Sequence, residues 1–162
     1  EDGDHRRELA GLQRLVSLHL TLDDPDAALA AAERALELKT EGSRKIEGLA
    51  KQLMAEVHLT AKRYDEALVS LSSALAVLQG ERDVRAVSNV LQILFDVHVE
   101  MGNDQEAVRS RHALRLAYQV AGWKDEEGTV LLQLAEFILQ VRGPREASKT
   151  AREAVALFKE LG

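Results

Sequence analysis

The chain contains no cysteine, only two prolines (Pro25 and Pro144) and 4% aromatic residues. Without cysteine there is no disulfide, no thiolate zinc site and no cysteine nucleophile, and the absence fits a cytoplasmic location. No apolar run approaches the ~20 residues that a membrane-spanning helix needs. A basic excess is also missing: Lys plus Arg number 21 against 27 Asp plus Glu, a formal charge of −6. Binding to nucleic acid relies on a cationic stripe that releases condensed counterions, so neither nucleic acid nor membrane is an expected partner. No glycine-rich phosphate loop, Gly-x-Ser-x-Gly elbow or His-Glu-x-x-His is present, and no enzyme activity, cofactor or metal is expected. The opening Glu1-Asp2-Gly3-Asp4-His5-Arg6-Arg7-Glu8 is polar. It holds no signal peptide and reads as the start of a piece excised from a longer chain.

Present instead is a helix-forming composition rich in Ala, Leu, Glu, Arg and Val, whose side chains mostly lose little rotamer freedom in a helix. Four segments align: Asp24 to Leu29, Arg63 to Leu68, Asn103 to Val108 and Gly143 to Ser148. Their anchoring alanines, Ala28, Ala67, Ala107 and Ala147, recur every 39 to 40 residues. A second alanine follows seven residues on at Ala35, Ala74 and Ala154, whereas Ala113 and Leu114 stand there in the third segment. Asp24-Pro25 is an N-cap followed by proline at the first helical position. Asn103 with Glu106 reads as a capping box. Gly42, Gly80, Gly102 and Gly122 fall where helices end in a left-handed residue. The spacing predicts eight helices near 5–22, 25–41, 44–62, 64–79, 82–101, 104–121, 124–141 and 144–161.

This pattern resembles the tetratricopeptide-repeat family. An aromatic or proline three before an alanine, with a second alanine seven after it, is that family's signature. Met54-Ala55 with Tyr64, Ala67 and Ala74, and Leu134-Ala135 with Pro144, Ala147 and Ala154, match best. The ~40-residue period is similar to the long-repeat variety of Pins-type adaptors and kinesin light chains. The resemblance implies an all-α, right-handed superhelical stack of four antiparallel helix pairs, a single array over 1–162. Its repeats would span about 4–42, 43–80, 81–122 and 123–162. Val16 and Phe95 replace the usual small residue at two helix crossings, which should be wider there. Neither end has a polar cap, which fits an internal fragment and allows self-association through the ends.

Histidines 19, 58 and 98 each stand nine residues before an anchoring alanine. Equivalent repeat positions lie about 10 Å apart, while zinc ligands converge within ~2 Å, so these read as structural histidines bonded to neighbouring groups rather than metal ligands. His5 and His112 read as surface residues. The adjacent carboxylates Asp23-Asp24 and Glu126-Glu127 point apart on a helix and read as caps and solvated faces. Trp123 is expected to pack under a turn.

In the family, the first helix of each pair lines the inner wall. The resemblance therefore implies a peptide-binding groove made of Gln13, Gln52, Gln92 and Leu132; Ser17, Glu56, Asp96 and Glu136; Leu20, Leu59, Val99 and Leu139; and Thr21, Thr60, Glu100 and Gln140. This set has four acids and no lysine or arginine. Amides can bond a ligand's backbone, aliphatics give apolar contact, and acids favour a basic or amphipathic peptide. The lysines and asparagines with which chaperone-binding members hold a C-terminal carboxylate are missing. The expected function is a protein–protein interaction scaffold. The alternative is a regulatory or autoinhibitory module of a larger enzyme, signalling protein or transcription regulator.

Overall fold

Residues 2–38 and 44–161 are described by the computed structural model, and among them the backbone forms eight α-helices and no strand. In chain order these are α1 (Asp2–Thr21), α2 (Pro25–Glu37), α3 (Arg44–Thr60), α4 (Tyr64–Gly80), α5 (Val84–Glu100), α6 (Asp104–Ala121), α7 (Lys124–Val141) and α8 (Pro144–Leu161). Each expected helix is present. Gly42 and Gly162 lie outside the described residues.

The turns explain the period. Helices α1, α3 and α5 end in one motif: Asp23, Lys62 and Gly102 take positive φ of 56°, 58° and 70°. The next N–H then donates back to the carbonyl of His19, His58 or His98 at 2.8–2.9 Å. This satisfies a carbonyl that the helix end would otherwise orphan. Gly122 ends α6 at φ 74°, but Gly80 remains within α4 and Arg82 takes the left-handed conformation instead. Asp24 caps α2 by accepting from Ala27 N–H at 3.1 Å. The capping box at Asn103 does not form: its side chain makes no cap bond, and Glu106 pairs with Arg109 instead. An unforeseen cap is Asp83, which accepts from Ala86 N–H at 3.0 Å and pairs with Lys45.

Packing divides the chain into residues 1–93 and residues 94–162. In the first unit α1, α2 and α3 pack on one another and α3 packs on α4; in the second, α6 packs on α7 and α7 on α8. Short connections between contacting helices make antiparallel hairpins, the expected building block of a helical-repeat stack. Ala28, Ala67 and Ala107 are fully buried and Ala147 is 6% exposed. Ala35, Ala74, Leu114 and Ala154 are buried seven residues on, so Leu114 fills the alanine's place and Ala113 faces solvent. Small side chains on the contact line let helix axes approach to the short end of the ~8–10 Å range. In the first unit they close over Leu9, Leu12, Val16, Ile46, Leu53 and Val57. In the second, Val108, Leu134, Ile138 and Ala147 cluster with Phe137.

Two glycines tighten this packing. A Cβ on Gly48 would lie 2.6 Å from Leu78 Cγ, and one on Gly128 would lie 2.6 Å from Phe158 Cζ. Both stand nineteen residues before an anchoring alanine, and both face the residue eleven after it.

Candidate peptide-binding face

In the first unit the expected wall comes from α1 and α3, which pack directly on each other, with Gln92 on α5. Gln52 is buried, Gln13, Leu20, Glu56, Leu59 and Gln92 are half-buried, and Ser17, Thr21 and Thr60 are exposed. Leu20 and Thr60 meet at the turn end, where they line a hollow of about 150 Å³ with Asp24 and Lys62. The hydroxyls spend their hydrogens locally: Ser17, Thr21 and Thr60 each donate to a carbonyl one turn back. They can offer a ligand only acceptor lone pairs while those bonds hold.

Glu56 is the acid with the most unusual surroundings. Its carboxylate accepts from Gln52 Nε2 at 2.9 Å, while the buried Gln52 Oε1 has no donor. Burial raises the Glu56 pKa above its ordinary value, and the Gln52 bond only partly offsets this. A half-buried carboxylate with one neutral hydrogen-bond donor is poorly compensated for lost water.

In the second unit the expected wall residues lie on the end of α5 and on α7. Phe95 meets Phe137 edge to face, which fixes α5 against α7 beside Asp96 and Glu136. Val99, Glu100, Leu132, Glu136, Leu139 and Gln140 are exposed, and Asp96 is half-buried. Exposure of Val99 at 38% and Leu139 at 53% leaves apolar surface next to the acids. Beneath it lies Arg111 of α6, buried, with its guanidinium 3.9 Å from the Phe95 ring centre and bonded to Gln133 Oε1 at 3.1 Å. Burial lowers the Arg111 pKa and the nearby Asp96 charge opposes that shift. Asp96 is thus already offset by a cation from below, whereas Glu56 has none paired to it among the described residues.

Arg111 and Arg115 escaped the sequence reading. They stand four and eight residues after Ala107, where α4 carries Leu71 and Leu75, and an arginine in a matched leucine position is the available signal. Arg115 bonds the buried Glu127 at 3.1 Å and Glu153 at 2.9 Å, tying α6 to α7 and α8. Glu127 is therefore not on a solvated face as its adjacency to Glu126 suggested. It turns inward because an arginine on the neighbouring helix waits there. Asp24 does cap, as expected.

His58 is buried and His19 and His98 are half-buried, but among the described residues they lack the expected bonds. Among the described residues the buried Nδ1 atoms of His19, His58 and His98 have no hydrogen-bond partner, and Asp24 stands 3.8 Å from that of His19. Burial lowers the pKa of both His58 and His98. His5 is half-buried rather than on the surface, while His112 is exposed. Trp123 stacks on Tyr118, ring centres 5.8 Å apart, under the turn between α6 and α7. Among the described residues no group of three or more His, Asp or Glu could hold a metal, and no helix is long and apolar enough to cross a membrane. No protein-family model matches the chain, and no curated protein matches it.

Proposed function

We propose that this chain is a protein-interaction module of the tetratricopeptide kind, which holds a basic or amphipathic peptide against the faces of its first helices. The repeat period, the buried alanines and the helix hairpins support the kinship. The observation that carries the binding role is the contrast between two acids. Glu127 is buried against Arg115, as a buried carboxylate requires, whereas Glu56 is desolvated beside Gln52 with no cation paired to it among the described residues. A lysine or arginine from a partner would supply the missing charge and a donor for the Gln52 carbonyl. Leu20 and Leu59, half-buried on the same two helices, would give that partner apolar contact.

Fluorescence anisotropy with a labelled Lys/Leu helical peptide tests the reading, with a Glu/Leu peptide as control. The Lys/Leu peptide should bind more tightly, and E56Q should weaken it about tenfold, the loss of one charge-assisted contact. Equal binding of the two peptides, or unchanged binding by E56Q, would remove the assignment.

A further inference from the structure

The outward lines of α8 and α2 carry opposite charge. On α8, Arg145, Lys149, Arg152, Ala156 and Lys159 follow one another at intervals of four, three, four and three, so they form a single line opposite the buried Ala147 and Ala154. All five are exposed, and none of the four cations has an ion-pair partner among the described residues. Around them the surface forms two shallow hollows of about 630 and 390 Å³. Such spacing is what a second helix lying alongside would read as one seam.

On α2 the same line is Asp26, Ala30, Glu33 and Glu37, all exposed. Among the described residues Glu33 and Glu37 have no ion pair, and Asp26, with Arg63 at 3.8 Å, is still 88% exposed. The corresponding line on α4, Asp65, Val69, Ser72 and Ala76, holds a single charge. The two charged seams also share a register. Laid antiparallel, Lys149 falls opposite Glu37, Arg152 opposite Glu33, Ala156 opposite Ala30 and Lys159 opposite Asp26. Three ion pairs then surround an alanine–alanine contact that lets the axes come close. On one flank of this seam Val155, 49% exposed, falls opposite the half-buried Leu29, which adds an apolar strip.

We infer that the α8 ridge is an interaction surface for a second copy of this chain, which docks its α2 ridge there antiparallel. The contact is heterologous, joining different surfaces of the two copies. It uses neither Glu56 nor the faces of the first helices, so it stands apart from the peptide-binding reading.

Sedimentation velocity of the whole chain across concentrations tests it. Association should appear at low salt and vanish in ~1 M NaCl, where the screening length falls to about 3 Å. E33K and R152E should each raise the dissociation constant about tenfold, since a reversed charge replaces attraction with repulsion. A mixture of the two variants should associate better than either alone, because E33K keeps its basic α8 and R152E keeps its acidic α2. Both substitutions are at exposed positions, and helix content by circular dichroism checks that the variants fold. A chain that stays monomeric at low salt, variants that associate like the parent, or a mixture no better than its components would overturn the proposal. So would a monomeric chain whose Arg152 binds only an added Glu-rich helical peptide, since the occupant would then be another protein.

Discussion

The ring of Phe95 stands edge-on to that of Phe137, with centroids 5.1 Å apart and planes at 75°. The sequence expectation was that Phe95, in place of a small residue, would disturb a helix crossing. Phe95 packs against Phe137 on one side and the Arg111 guanidinium on another. Replacing Phe137 with Ala removes the edge-to-face contact and leaves a hole beside Asp96. The half-buried ring should cost about 2–3 kcal/mol, somewhat less than a fully buried phenylalanine. Urea unfolding of F137A and F137L checks this, with the leucine variant expected to lose less. A loss below about 0.5 kcal/mol for F137A would show that the pair does not hold α5 to α7.

The Arg115–Glu127 pair should behave as a buried ion pair. Truncating Arg115 to Ala strands the Glu127 carboxylate, which is 7% exposed, and should cost about 3–5 kcal/mol. Adding E127Q should recover part of that loss, because the stranded charge is gone. If the double variant is no more stable than R115A, charge burial is not the cause.

The two close-packed glycines should differ. At Gly48 an added methyl meets Leu78, which is fully buried and cannot retreat. Overpacking of ~1–3 kcal/mol outweighs the ~1 kcal/mol that alanine gains in helix propensity. At Gly128 the clash is with the far edge of the half-buried Phe158 ring, which can swing outward. G48A should therefore lower the melting temperature, while G128A leaves it nearly unchanged.

Acid should weaken the fold through its histidines. Burial depresses the folded pKa of His58 and His98 below their ordinary 6.5, so the unfolded chain binds protons first as pH falls. Stability should be full above about pH 6.5 and decline below it, until the folded-state values are passed. Thermal melts across this range should show a shallower decline for H58L/H98L than for the parent. Parallel curves would assign the acid sensitivity elsewhere.

Glu56 works in the opposite sense. Its folded pKa is raised above the ordinary 4.5, so the folded chain holds that proton more tightly and stability is lost as pH rises through the folded value. E56Q should melt higher than the parent at neutral pH, with the gap closing below about pH 4.5. The same substitution should weaken the Lys/Leu peptide. Higher stability with lower affinity would mark Glu56 as an acid kept at a cost for binding.

The helix layout was legible because its causes are local. Asp24-Pro25, Gly102 and Gly122 act within one turn of themselves, and the alanine period marks where helices touch. Legibility ended where two segments meet. Glu126 and Glu127 are identical neighbours in sequence, yet one faces water and the other Arg115. The expected binding rows contained Glu56 and Asp96 as equals. Packing separates them, since Arg111 answers one and, among the described residues, only Gln52 answers the other.

From its sequence alone this chain was committed to the eight helices of its described residues, because caps, left-handed turn residues and small contact positions act over a few residues. Tertiary structure decided which charges lose their water and which find a partner. Desolvation and pairing between helices, as of Arg115 with Glu127 and Glu153, depend on segments that meet only on folding, and no local pattern encodes them.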